Sequence, residues 1–189
     1  KSRIPVISLV GYTNAGKSTL LNRLADAEVY VADQLFATLD PTTRRVELPG
    51  GRVALFTDTV GFIQKLPTNL VAAFRATLEE IADSDLLLHI IDITHPNVGA
   101  QAQAVIETLQ EIGAGHVPTL SVLNKIDLLA DPEHAKTALD EANTAIAISA
   151  LSGDGVPALL EKIMVLLYEQ VELIVVDLPY QEGNLIALF

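Results

Sequence analysis

Two glycines, Gly11 and Gly16, followed at once by Lys17 and Ser18, constrain this chain more than any other feature. The stretch reads Gly11-Tyr12-Thr13-Asn14-Ala15-Gly16-Lys17-Ser18 and fits G-x-x-x-x-G-K-[ST], a phosphate-binding loop. An apolar, β-branched run, Ile4 to Val10, leads in, and Leu20, Leu21 and Leu24 at helical spacing lead out. In that context the two glycines let the backbone wrap close to a polyphosphate. Backbone N–H groups and the positive end of the helix then face the anion. Lys17 supplies a point charge for the outer phosphates, Ser18 a hydroxyl for Mg²⁺, and Thr19 continues the contact into the helix. A glycine-containing turn before an ordinary helix is the plainer reading; the flanking strand and helix argue against it.

The 189 residues allow one sizeable domain with a buried core. Half of them are hydrophobic, which excludes disorder for the bulk of the chain. No apolar run approaches the ~18–20 residues of a membrane span, and no signal-peptide pattern opens the chain. The absence of cysteine excludes disulfides and thiolate metal sites, and fits a reducing compartment. A formal net charge of −12 argues against a broad nucleic-acid-gripping face, because phosphate neutralisation needs clustered Lys and Arg. His89, His95, His116 and His134 lack metal-ligand spacing, and His89 falls in an apolar strand pattern. Lys1 at the start and the apolar run Leu185–Phe189 at the end read as cuts from a longer protein.

Along the chain, short apolar strands alternate with helical stretches. Ile4–Val10 reads as a strand and Ser18–Ala27 as its helix; Val29–Thr43 shows no clean period and reads as a loop. Arg44–Leu48 and Arg52–Thr57 flank Pro49-Gly50-Gly51, a hairpin signal. A helix is expected from Leu66 to about Ile81, with Thr68 as its N-cap. Leu86–Ile91 is a continuous apolar run, the mark of a strand covered on both faces. Val98–Ile112 is helical and ends at Gly113 and Gly115; Thr119–Leu123 is a second buried strand. Asp131-Pro132 starts a helix to about Ala142, Ala145–Ile148 is a short strand, and Val156–Val171 is a long helix. The alternation predicts an α/β fold: a mostly parallel central sheet with one antiparallel strand and helices on both faces. Ligands of such sheets bind outside the carboxyl ends of the strands. Residues 1–171 form the expected nucleotide-binding domain, and 172–189 a linker and the opening of a further domain.

Further elements follow the loop in an informative order. Asp58-Thr59-Val60-Gly61 ends a strand; its carboxylate can reach Mg²⁺ through a water, and the Gly61 N–H can sense a γ-phosphate. Asn124-Lys125-Ile126-Asp127 ends another. The Asp127 carboxylate can accept from the N1–H and the 2-amino group of guanine, whereas adenine has no donor at either place. Ser149-Ala150, with Leu151 next, ends the last strand, where a backbone N–H could meet guanine O6. Each short motif is weak alone. Together, in order, each at a strand's carboxyl end, they point to a guanine-nucleotide site.

On these residues the chain resembles a P-loop GTPase, and more narrowly the G domain of the HflX family, ribosome-associated GTPases related to the Obg group. The likeness rests on Gly11–Ser18, Leu35–Arg44 (LFATLDPTTR), Asp58–Ile63 (DTVGFI), Leu66–Glu79 (LPTNLVAAFRATLE) and Asn124–Asp127. It covers the chain to about residue 171. From the residues alone, Thr38, Thr42 and Thr43 are equivalent hydroxyls that could fold over a γ-phosphate. The resemblance implies Thr38 as the switch I threonine that completes the Mg²⁺ shell, with Phe36, Ala37, Leu39 and Asp40 around the nucleotide. Lys17, Thr38 and Gly61 are then the residues that act on the γ-phosphate. It also implies K⁺ held by Asn14, the switch I backbone and the phosphates; the plainer role for Asn14 is to satisfy its own turn.

Many small GTPases carry Gln after D-x-x-G to orient the attacking water, but here the place is Phe62, followed by Ile63. Slow intrinsic hydrolysis is therefore expected, with stimulation by K⁺ or the ribosome. Arg44, Arg45 and Arg75 are read as surface charges rather than arginine fingers. The resemblance implies GTP and GDP as ligands, and the large (50S) ribosomal subunit as the partner of the full-length protein, in splitting, rescue or assembly. It further implies a monomer in the cytoplasm or at the membrane periphery, with little direct nucleic-acid binding by this acidic segment. The rival readings are a nucleotide-controlled binding module with incidental hydrolysis and a related GTPase acting in tRNA modification or iron transport. A general ATPase is the weakest, since Asp127 would face adenine with nothing to accept.

Overall fold

A computed structural model describes residues 3–26, 43–59, 81–132 and 145–168. Its strands are β1 (Val6–Gly11), β2 (Thr43–Leu48), β3 (Arg52–Asp58), β4 (Leu86–Asp92), β5 (Thr119–Asn124) and β6 (Ala145–Ala147). The helices among these residues are α1 (Lys17–Asp26), α2 (Val98–Glu111) and α3 (Val156–Tyr168). The strands form one sheet in the order β2-β3-β1-β4-β5-β6. Only the β2–β3 pair is antiparallel, closed by a short 3-10 turn at Pro49–Gly51; the other pairs are parallel. The mostly parallel sheet with one antiparallel edge strand is the architecture that the alternation of strands and helices predicts.

The sheet's two faces explain the sequence pattern. Ile7, Leu9, Phe56, Leu86, Leu88 and Ile90 point to one face, where Leu20, Leu21 and Leu24 of α1 and Leu159 and Ile163 of α3 cover them. Val10 and Leu87 point to the other, against Val105 and Leu109 of α2 and against Ile81. β4 is buried on both sides, so it reads as an unbroken apolar run rather than an alternation. Each such side chain taken fully from water contributes roughly 1.5–3 kcal/mol. The second face also carries Ser8, whose hydroxyl pairs with that of Ser84 at 2.7 Å, and His89, 2% exposed. The lower end of α3 is tied down by Tyr168, which donates to Val53 O at 3.2 Å and stacks under the Arg52 guanidinium.

Strand bounds agree with the sequence reading to within a residue or two, with one correction. Thr43 was expected in the loop, but it opens β2, paired with Thr57 and with the two hydroxyls 3.3 Å apart. Cross-strand pairing satisfies the Thr43 backbone, a contact no local pattern reveals. The expected helix over 66–81 is described only at its end, and the expected helix after Asp131 only at its start. The segment 29–42 and everything after Tyr168, including the expected domain boundary, lie outside the described residues. No helix among the described residues is long and apolar enough to cross a membrane.

Candidate functional site

Parallel pairing brings the carboxyl ends of β1, β3, β4 and β5 to one edge of the sheet. Gly11 pairs with Ile90, Leu9 with Asp58, and Asp92 with Asn124. Described residues of every motif found in the sequence therefore meet along this edge. Gly11 must be glycine, because a Cβ there would sit 2.4 Å from the Ile90 carbonyl oxygen of β4. The loop then turns through Asn14, left-handed at φ 63°, with Ala15 N–H donating to Tyr12 O at 3.2 Å, and enters α1 at Lys17. Asn and Gly are the residues that take this conformation most readily.

Lys17 is 6% exposed, and its ammonium donates to Gly11 O at 3.0 Å and Tyr12 O at 3.2 Å, so it lies over the loop. Burial pushes its pKa below the ordinary lysine value, partly opposed by the nearby Asp58 carboxylate. Ser18 Oγ donates to Asp58 Oδ2 at 2.6 Å, which joins the start of α1 to the end of β3. Thr59 fixes that strand end by donating to Leu9 O at 2.6 Å.

Asn124 links the two halves of the edge. Its Nδ2 donates to Ala15 O of the phosphate loop at 2.8 Å, and its Oδ1 accepts from Ala150 N–H at 2.9 Å. The side chain is 2% exposed, and Gly16 leaves room for it, since a Cβ there would lie 2.2 Å from Nδ2. Lys125, left-handed at φ 71°, pairs its ammonium with Asp92 Oδ2 at 2.6 Å. Asp127 stands exposed in the short 3-10 turn Ile126–Leu128, beside the loop of Ser149, Ala150 and Leu151. Ile126 N–H donates to Ile148 O at 3.3 Å and holds these two segments together.

A family model described as a 50S ribosome-binding GTPase matches residues 6–125. The chain belongs to this GTPase family. It is 48% identical over 191 residues to the GTPase HflX of Escherichia coli, covering all of this chain and 45% of that protein. It is also 48% identical over 182 residues to the GTPase HflX of Caldanaerobacter subterraneus, covering 96% of this chain and 41% of that one. The chain thus spans less than half the length of the curated relatives it matches. Among solved structures, a GTP-binding protein of Sulfolobus solfataricus in complex with GDP superposes with a TM-score of 0.69 at 32% identity. That match covers 88% of this chain and 53% of the other. A complex of SsGBP with GDP gives 0.71 at 33% identity, over 89% and 51% of the two chains.

The residues present fit the Mg²⁺ that such a G domain uses. Among the described residues, Asp58 Oδ1 is a buried oxygen with no hydrogen-bond partner, beside a carboxylate oxygen already joined to the Ser18 hydroxyl. A serine hydroxyl and a carboxylate are hard oxygen donors, and Mg²⁺ binds through one or two such groups with water and phosphate oxygens completing the shell.

Phe36, Ala37, Thr38, Leu39, Asp40, Thr42, Val60, Gly61, Phe62, Ile63 and Arg75 lie outside the described residues. Ser149 is fully buried and holds its own loop by accepting from Ser152 N–H at 3.1 Å. Of the backbone N–H groups that the sequence offers here to guanine O6, that of Ala150 is spent on Asn124 Oδ1. Two residues that the sequence did not single out enter the site. Asp92 holds Lys125. Arg23, on α1, donates from Nε to Ala150 O at 2.6 Å and from Nη2 to Leu151 O. Neither pairing has a sequence signal, because each joins segments remote in the chain.

Proposed function

We propose that this chain is the guanine-nucleotide-binding and GTP-hydrolysing domain of a switch protein that acts, as a longer chain, on the large ribosomal subunit. The observation that carries the reading is the pair of hydrogen bonds by which the Asn124 amide donates to Ala15 O and accepts from Ala150 N–H. One buried amide thereby fixes the phosphate loop, the Asp127 turn and the Ser149–Leu151 loop in one frame. The 50S ribosome-binding description of the family supports the ribosomal partner. The net charge of −12 supports a reading in which rRNA contacts fall mainly outside this segment.

In this reading the Gly11–Ser18 backbone and Thr19 cradle the phosphates and Lys17 neutralises the outer ones. A phosphate beside Lys17 offsets the burial that lowers its pKa and keeps the ammonium charged. Ser18, Thr38 and Asp58, the last through a water, hold Mg²⁺. When bound, the ion spreads the charge of the β- and γ-phosphates. Thr38 and the Gly61 N–H sense the γ-phosphate, and Phe36, Ala37, Leu39, Asp40, Thr59 and Val60 line the nucleotide. Asp127 accepts from the guanine edge and Lys125 covers the base with its stem. Asn14 offers its amide oxygen to K⁺. Phe62 cannot hold the attacking water, so hydrolysis by the isolated domain is slow.

Single-turnover GTP hydrolysis in KCl and NaCl at equal ionic strength tests the catalytic part. A gain in KCl that Asn14→Ala abolishes supports the K⁺ assignment, whereas a gain that survives removes it. Asp127→Asn tests the base. Its amide donates to the 2-oxo group of xanthine and accepts from N1–H, so preference should pass from guanine to xanthine nucleotides. Unchanged guanine preference would refute the assignment of Asp127.

A further inference from the structure

Arg23 sits on α1, the helix whose first residues carry the phosphate and Mg²⁺ chemistry, yet its guanidinium is spent on the loop at the other end of the site. Its Nε donates to Ala150 O at 2.6 Å and its Nη2 to Leu151 O. The loop is shaped to receive it. Gly153 adopts φ +92°, and a Cβ there would lie 2.8 Å from Arg23 Nη1. The loop is otherwise closed on itself, with Gly153 N–H on Ser149 O and Ser149 N–H on Asp154 O, both at 2.8 Å. Ala150 is therefore gripped from both sides, its N–H by Asn124 of β5 and its carbonyl by Arg23 of α1.

This grip orients one particular donor. In a trans peptide the C=O and the following N–H point in opposite directions. With Ala150 O turned onto Arg23, the Leu151 N–H of the same peptide plane points away from the guanidinium. The Ala150 N–H is engaged by Asn124 Oδ1, so the next backbone donor in this loop is that of Leu151, a residue 71% exposed.

We propose that Arg23 is a positioning residue for base recognition: its fork on Ala150 O and Leu151 O presents the Leu151 N–H to the 6-oxo group of guanine. The same contact ties that loop to the phosphate-binding helix. The proposal rests on the guanine-nucleotide reading above. It assigns Arg23 no contact with substrate. A planar fork on two successive carbonyls is a task for arginine, and lysine, a single-point donor, does not reproduce it.

The test compares GDP with the diphosphate of 2-aminopurine riboside, which keeps N2 and the phosphates but has neither the 6-oxo group nor the N1–H, so each variant is set against the parent for the same nucleotide. Affinities are measured on the 189-residue chain and on Arg23→Met and Arg23→Lys. Loss of one positioned hydrogen bond is expected to weaken GDP roughly tenfold in Arg23→Met, with faster GDP release. The 2-aminopurine nucleotide should be held as by the parent, because it never used the bond. Arg23→Lys should fall between the two for GDP alone, and it carries the comparison if Arg23→Met does not fold. Equal losses for both nucleotides would mean that Arg23 only stabilises the domain, and no loss for either would mean that the loop holds itself; each overturns the proposal. Failure of the guanine reading would look different: the parent chain would not prefer GDP to ADP.

Discussion

Lys125 Nζ and Asp92 Oδ2 meet at 2.6 Å across the carboxyl ends of two adjacent strands, while the Lys125 backbone stays left-handed at φ 71°. That conformation costs a non-glycine residue roughly 1–2 kcal/mol, and the ion pair helps to offset it. Asp92 is satisfied on both oxygens, since Thr94 donates to Oδ1 through its N–H and its hydroxyl. The pair thus fixes where the lysine stem runs before any ligand is considered.

Asp92→Asn should weaken guanine-nucleotide binding several-fold and lower stability by about 1–2 kcal/mol at neutral pH. Burial alone would raise the Asp92 pKa; hydrogen bonds from Lys125 and Thr94 and the attraction of Lys125 outweigh it, and the net direction is down. A carboxyl depressed on folding stabilises above its unfolded value of about 4, and the gain disappears as pH falls through the lower folded value. The stability gap between parent and variant, measured by urea unfolding, should therefore close below about pH 4. A gap that persists there would show that the charge on Asp92 is not what matters.

Ser18 and Asp58 share a hydrogen bond of 2.6 Å and leave Asp58 Oδ1 buried without a partner among the described residues. In the parent, adding Mg²⁺ should tighten nucleotide binding. In Ser18→Ala and Asp58→Asn most of that response should vanish, with the Mg²⁺-free affinity changed far less. Titration of a fluorescent GDP with Mg²⁺ or with chelator reads this directly. An intact Mg²⁺ response in both variants would remove these residues from the metal site.

Gly16→Ala should be poorly tolerated. The new Cβ would meet Asn124 Nδ2 at 2.2 Å, and Asn124 cannot retreat without releasing Ala15 O or Ala150 N–H. The backbone at φ +102° adds strain. A loss of about 2–3 kcal/mol is expected, or roughly 5–10 °C in Tm for a domain of this size. A variant that melts with the parent and binds GDP equally well would show that the frame around Asn124 is loose.

His89 gives the domain an acid-sensitive strand. It is 2% exposed in β4, and burial holds its pKa down at about 4. The unfolded chain, with an ordinary histidine near 6.5, binds a proton that the folded chain refuses. Stability is therefore full above about pH 6.5 and is lost as pH falls toward 4, by roughly 3 kcal/mol for this group. His89→Leu should flatten that part of the stability profile. An unchanged slope between pH 6.5 and 4 would place the titration elsewhere.

The sequence alone determined the layered fold, because period and punctuation are local. The run Leu86–Ile91 reads as a strand covered on both faces, Pro49-Gly50-Gly51 as a reversal between two strands, and Gly11–Ser18 as a turn from strand to helix. It also brought the motifs to one sheet edge, since every parallel strand ends at the same side, while their order along that edge came from the strand order of the fold. Tertiary structure alone decided who holds whom. The bonds of Asn124 to Ala15 and Ala150, of Arg23 to Ala150 and Leu151, and of Lys125 to Asp92 each join segments far apart in the chain. No spacing rule encodes such contacts; they exist because parallel pairing sets the strand ends side by side. Antiparallel pairing acts likewise on Thr43, which left the loop and joined β2, its place set by Thr57 across the hairpin rather than by its own neighbours.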